Sequence, residues 1–197
     1  MDALVMCGGR GSRLDRGEKP LVAVDGVPMV DRVIDAVTAS GFDTVAAVTS
    51  PHAPDTAAHL DGRVPLIETD GDGYVADLTD AIDRVGTPVV TVAADVPLLA
   101  PGPLDRLREA YEGPSVTLCV PSALKRQLGV SVDTERDHEG VAVAPTGVNV
   151  VGADDAETVR VSHDARLAVN VNRPDDLAIA DRLAAGLPRE VSSDGPR

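Results

Sequence analysis

Short apolar segments alternate with amphipathic ones along most of the chain, and few folds accept that order. Ala3–Met6, Thr44–Val48, Pro65–Glu68, Val89–Ala94 and Val116–Val120 have the length and composition of strands. Between them, Pro28–Ser40, Tyr74–Val85 and a segment marked by Leu104, Leu107 and Tyr111 repeat apolar residues at helical spacing. The pattern predicts an α/β fold with a mainly parallel sheet covered by helices. Val89–Ala94 is apolar or small throughout, as a strand covered on both faces must be. Val30, Val33, Ile34 and Val37 form one stripe of the first helix, which Gly41 stops. In the second, Val75, Leu78, Ile82 and Val85 are expected to face the core, and Asp77, Asp80 and Asp83 to form a solvated row. The polar centre of Leu128–Gly147 suggests a hairpin or an inserted loop. Val148–Val151 and Ala168–Val171 read as late strands, and Pro174–Ala185 as a last helix with Pro at its start and Gly186 at its end. With no repeat and no long linker, residues 1–185 are expected to form one three-layer, Rossmann-like domain. Residues 186–197 lack periodicity and read as a disordered tail.

Charge narrows the class of partner. The chain of 197 residues carries 18 basic against 32 acidic side chains, a net charge of −14. Such a surface repels nucleic-acid polymers and anionic membranes. Asp and Arg dominate the charges, and Lys19 and Lys125 are the sole lysines. This balance resembles that of a halophilic protein, in which salt screens the self-repulsion; a GC-rich coding sequence gives the same bias. No apolar run approaches the roughly 18 residues of a membrane span. The start lacks a signal-peptide pattern, so a cytoplasmic protein is expected. Cys7 and Cys119 have no disulfide or metal-site spacing, nor do His52, His59, His138 and His163, which read as surface or satisfied core histidines. A homodimer remains open.

The cations are unevenly placed. Residues 1–20 hold four bases against three acids, concentrated in the segment from Cys7 to Leu21 directly after the first strand. Ligands in open α/β sheets sit beyond the carboxyl ends of strands, where this segment must lie. Gly8, Gly9 and Gly11 remove side chains, so backbone N–H groups can wrap phosphate oxygens. Arg10, Arg13, Arg16 and Lys19 supply positive charge. A P-loop is excluded because no Gly-Lys-Ser/Thr closes the segment. A dinucleotide fingerprint is excluded because Leu14 stands where a third Gly is needed. Ser12 lacks the flanking Gly of a nucleophile elbow, and Cys7 needs no thiol role.

Gly8-Gly9-x-Gly11-x-Arg13 followed by Glu18-Lys19-Pro20-Leu21 resembles the signature of the MobA-like nucleotidyltransferase superfamily, which shares the nucleotide-diphospho-sugar transferase type of fold. Downstream, Thr49-Ser50-Pro51, Thr69-Asp70-Gly71-Asp72-Gly73-Tyr74 with Asp77-Leu78, Gly147-Val148-Asn149-Val150-Val151 and Asn170-Val171-Asn172 are similar to the archaeal GTP:adenosylcobinamide-phosphate guanylyltransferases. The resemblance covers most of residues 1–185 and is weakest over 121–146, where the acceptor is expected. It implies transfer of GMP from GTP to adenosylcobinamide phosphate, with release of pyrophosphate. Molybdenum cofactor guanylyl transfer shares the opening loop, and a non-catalytic nucleotide-binding module could keep the fold.

By the resemblance, Arg13 and Lys19 bind the triphosphate and act catalytically with Asp95. Gly8, Gly9, Arg10, Gly11, Ser12 and Thr49 join them around the nucleotide. Asp95, after the buried strand, and Asn172 are the implied ligands of Mg²⁺, which commonly takes one or two carboxylates plus substrate phosphates. Gly71 and Gly73 allow close approach to the base, and Asp70 or Asp72 can accept from guanine N1–H and N2–H₂. Gly147 and Asn149 are expected on the acceptor side. Simpler readings stay open: an ion pair of Lys19 with Glu18, a cap or turn at Asp95, a helix cap within Thr69–Tyr74, a turn at Thr49-Ser50, and a buried Asn in a strand.

Overall fold

A computed structural model describes residues 1–8, 17–153 and 156–187. In chain order the elements are β1 (Asp2–Met6), a 3₁₀ turn (Lys19–Leu21), β2 (Ala23–Val24), β3 (Val27–Pro28) and α1 (Met29–Thr38). Then come β4 (Val45–Thr49), α2 (Pro54–Leu60), β5 (Leu66–Glu68), α3 (Tyr74–Val85), β6 (Val89–Ala93) and α4 (Pro101–Glu109). The last third holds β7 (Ser115–Pro121), α5 (Ser122–Leu128), β8 (Arg136–His138), β9 (Val141–Val151), β10 (Glu157–Val161), a second 3₁₀ turn (Ala165–Ala168) and α6 (Pro174–Ala185).

The main sheet runs β10-β7-β9-β6-β1-β4-β5, with β8 paired to β9 and β2-β3 forming a separate hairpin. β1 pairs in parallel with β4 and β6, and only the strands flanking β9 and β8 meet it antiparallel. The fold is therefore the expected mixed α/β domain with a mainly parallel sheet. Alternation along β1 shows how three layers arise. Ala3 and Val5 pack with Val30, Val33, Ile34 and Val37 of α1 and with Leu104 and Leu107 of α4. Leu4 and Met6 pack on the other face with Ala81, Leu78, Ile82 and Val85 of α3. A period-2 strand between two helical layers buries side chains on both faces, each large one contributing roughly 1.5–3 kcal/mol.

The differences from expectation have physical causes. Ala168–Val171 is not a strand: it leaves a 3₁₀ turn as extended chain, and Val171 N donates to Asp95 O at 2.9 Å. Val169 and Val171 are buried against Val22, Val24, Met29 and Leu177 rather than by a ladder. Val75 is exposed, whereas Asp77, expected in solvent, is buried. Helix α4 ends at Glu109, so Tyr111 follows it. The segment 121–146 holds α5 and a β8–β9 hairpin turned at Glu139-Gly140. Of the expected tail, Gly186 and Leu187 are described, Gly186 as the C-cap of α6; 188–197 lie outside the described residues.

Candidate active site

Strand order reverses at β1, since β4 lies on one side and β6 on the other. Beyond the carboxyl ends of these three strands opens a cleft of about 440 Å³, at the switch point where open α/β sheets hold ligands. Met6, Gly8, Val48 and Ala93–Asp95 form its floor, and Lys19, Pro20, His52 and the loop from Thr69 to Tyr74 rise around it.

Each wall is fixed by short contacts. A side chain at Gly8 would begin 3.2 Å from Ser50 Oγ, which also donates to Gly8 O at 3.4 Å. Gly71 has φ +77°, and a Cβ there would meet the His52 ring at 3.0 Å. Its N–H donates to Asp77 Oδ1 at 3.0 Å, and its carbonyl lies 3.1 Å from His52 Nε2. Asp77 and His52 thus hold the loop open toward the cleft. Gly73 caps α3 with no side-chain bond, so neither Asp70 nor Asp72 serves as its cap.

Lys19 is presented by its neighbour. Glu18 Oε1 accepts from Asp55 N at 2.8 Å, and Oε2 from Thr56 N at 2.7 Å and Thr56 Oγ1 at 2.5 Å. The first N–H groups of α2 have no partner within the helix, so a carboxylate is held well there. Glu18 therefore anchors the chain beside Lys19 instead of pairing with it. Lys19 Nζ donates to Asp95 Oδ2 at 2.5 Å and to Asn172 Oδ1 at 2.7 Å. Asp176, buried on α6, accepts from Asn172 N at 3.1 Å, Arg173 N at 3.0 Å and Ser131 N at 2.7 Å, which fixes the turn carrying Asn172. Behind Asp95, Asn170 Nδ2 reaches Oδ1 at 3.3 Å and Thr146 O at 2.9 Å.

Two oxygens from distant segments thus converge on one cationic point. In this structure the cation is the Lys19 ammonium. One carboxylate and one amide oxygen also suit a hard divalent ion whose remaining ligands are phosphates and water. Among the described residues no group of three His, Cys, Asp or Glu could hold a metal by itself. The Tyr74 ring lines the cleft, and its phenol pKa is raised, first by burial and then by the Asp95 charge.

The structure brings Gly8, Lys19, Gly71, Gly73 and Asp95 to one cleft, with Asn172 bonded to Lys19. Asp72 lines it, whereas Asp70 is exposed and outside the lining. Thr49 is buried beneath, its carbonyl accepting from Thr69 N and Oγ1, both at 3.0 Å. Gly147 and Asn149 do not line the cleft. Gly147 has φ +84° and packs against Ala93, Asn170 and Val96, while Asn149 lies between Thr91 and Thr117 in the sheet. Gly9, Arg10, Gly11, Ser12 and Arg13 lie outside the described residues. Glu18, Asp77 and Asn170 stand in the quoted motifs without the roles seen here, and sequence reasoning missed Asp176. A lone acid or amide gives no periodic signal, and each is recruited by a segment remote in sequence.

A mainly parallel sheet whose switch point carries a lysine–carboxylate–amide cluster beside the Gly71–Gly73 loop defines an α/β protein with a polar ligand cleft at that point. Residues 3–132 match the MobA-like NTP transferase domain, and the chain belongs to that family of nucleotidyltransferases. It is 28% identical over 200 residues to the adenosylcobinamide-phosphate guanylyltransferase of Methanocaldococcus jannaschii, covering 93% of this chain and 97% of that one. Solved structures share the fold. A nucleotidyl transferase from Methanothermobacter superposes with a TM-score of 0.67 at 20% identity, covering 94% of this chain and 98% of that one. A CMP:2-keto-3-deoxy-manno-octonic acid synthetase complexed with CTP gives 0.65 at 16% identity, over 94% and 98%. No helix among the described residues is long and apolar enough to cross a membrane.

Proposed function

We propose that this nucleotidyltransferase moves GMP from GTP to adenosylcobinamide phosphate, giving adenosylcobinamide-GDP and pyrophosphate. The observation that carries the acceptor is the similarity to the guanylyltransferase of Methanocaldococcus jannaschii, which runs over nearly the whole of both chains. A phosphate oxygen of the acceptor attacks the α-phosphorus of GTP. The bond from that phosphorus to the bridging oxygen breaks, and pyrophosphate leaves with the electron pair. Two anions must meet, so catalysis is chiefly positioning and charge stabilisation.

In this reading the Lys19 ammonium, aimed by Asp95 and Asn172, binds triphosphate oxygens with Arg13 and the backbone of Gly8, Gly9 and Gly11. Arg10 and Ser12 add contacts, and Thr49 supports the loop whose Gly71, Asp72 and Gly73 face the base. With Mg²⁺ bound, Asp95 and Asn172 would hold the ion in place of the Lys19 ammonium, leaving Lys19 to the triphosphate, and the ion would supply charge neutralisation of the phosphates. Gly147 and Asn149, on the interior strand β9, act on the acceptor side by supporting the site from within the sheet rather than from the cleft wall.

Incubation with GTP, ATP, CTP or UTP, labelled at the α-phosphate, tests the donor. Label is expected in an adenosylcobinamide product from GTP, with little from the others. Equal transfer from ATP would overturn guanine selection, and undiminished rates in excess chelator would remove Mg²⁺ from the mechanism.

A further inference from the structure

Lys125, in the last turn of α5, is only 3% exposed. Burying an ammonium costs several kcal/mol unless its hydrogen bonds are remade. Its Nζ donates to Ala168 O at 2.8 Å and to Asn170 Oδ1 at 2.9 Å. Both acceptors are neutral, and among the described residues no carboxylate forms an ion pair with it. Desolvation accordingly lowers its pKa, opposed by the more distant charges of Asp176, Asp95 and Asp133.

What such a lysine does follows from donor chemistry. An ammonium has donors and no acceptor, so Asn170 must turn its oxygen toward Lys125 and its NH₂ toward Asp95. The amide then donates to Asp95 Oδ1 and to Thr146 O. With Oδ1 engaged, Oδ2 is left to Lys19. A flipped amide would set NH₂ against ammonium and oxygen against carboxylate, two repulsions in a buried place. We infer that Lys125 is a positioning residue: through the Asn170 amide it fixes the orientation of the Asp95 carboxylate, so that the oxygen not held by Asn170 is presented to Lys19. The two lysines of the chain thus act on opposite oxygens of one carboxylate, Lys19 directly and Lys125 one amide removed. The catalytic part of this inference rests on the nucleotidyl transfer proposed above, whereas the coupling of Lys125 to Lys19 does not.

The test uses the full chain labelled with [¹³Cε]lysine, which carries two labelled sites. In Lys125→Met the remaining Lys19 signal is expected to move from its wild-type position. Asn170→Asp, which keeps a partner for Lys125 but faces Asp95 with a second carboxylate, should move it too; this variant carries the test if Lys125→Met does not fold. In turnover, Lys125→Met should lower kcat at least about tenfold with KM for nucleotide changed less than about threefold. Adding Lys125→Met to Asp95→Asn should lower kcat no further, because the effect passes through Asp95. A Lys19 signal unmoved in the folded variants overturns the inference, as do losses in kcat that simply multiply. If the wild type transfers no nucleotide while the Lys19 signal still moves, the proposed reaction fails and the coupling stands.

Discussion

Lys19 Nζ lies 2.5 Å from Asp95 Oδ2, although the two residues are 76 positions apart. The contact ties the segment after the glycine-rich loop to the end of β6, and it sets the first prediction. Lys19→Met and Asp95→Asn should each lower kcat at least about tenfold, or roughly 1.4 kcal/mol of barrier. Lys19→Arg should not restore the rate, because a planar fork cannot place one point charge between two oxygens as an ammonium does. Steady-state pyrophosphate release measures all three.

Glu18 holds this arrangement from outside the cleft. Its carboxylate takes three donors at the start of α2, and hydrogen bonds to a charged group contribute about 1.5–3 kcal/mol. Glu18→Ala should therefore lower the midpoint of thermal unfolding and raise KM for nucleotide, because Lys19 loses its anchor. Unfolding curves and nucleotide titration together check this.

At Gly147 stability is predicted to respond before acceptor binding does. Its φ of +84° costs an L-residue roughly 1–2 kcal/mol, and a Cβ would also lie 3.0 Å from Ala93 Cβ. Gly62 has φ +74° with open space around it. Gly147→Ala should thus destabilise the protein more than Gly62→Ala, in parallel denaturant unfolding curves.

Complete burial pushes the Cys7 thiol up to about 12 from 9.0. The unfolded chain ionises first, so this group's stabilisation is fully present below pH 9.0 and is lost progressively up to about 12. Native protein at pH 8 should leave Cys7 unmodified by a thiol reagent that reacts at once after unfolding. In Cys7→Ala the alkaline loss of stability should become shallower. Proton-linked unfolding between pH 8 and 11 measures this.

Much of this architecture was legible because periodicity records burial. β1, α1, α3 and β6 lie within a residue or two of their expected bounds, and their apolar stripes, Val75 excepted, match the two core layers. Ala168–Val171 misled because buried apolar residues look alike whether a ladder or a second core covers them. Short α2 and α5 and strand β10 carry too few turns or alternations to stand out. In the site, Lys19, Gly71 and Asp95 were readable from the resemblance and from their placement after strands. Asp77 was misjudged because helical phase alone cannot distinguish solvent from a cleft. The bond from Asn170 to Asp95 spans 75 positions, and no local pattern encodes a partner at that range.

The central claim meets its most direct test in pyrophosphate release from GTP, measured with adenosylcobinamide phosphate, with the molybdopterin cofactor and with no acceptor. The account predicts release that depends on adenosylcobinamide phosphate, with stoichiometric adenosylcobinamide-GDP, and that falls at least about tenfold in Lys19→Met. Release with the molybdopterin cofactor alone, or with neither acceptor, would contradict it.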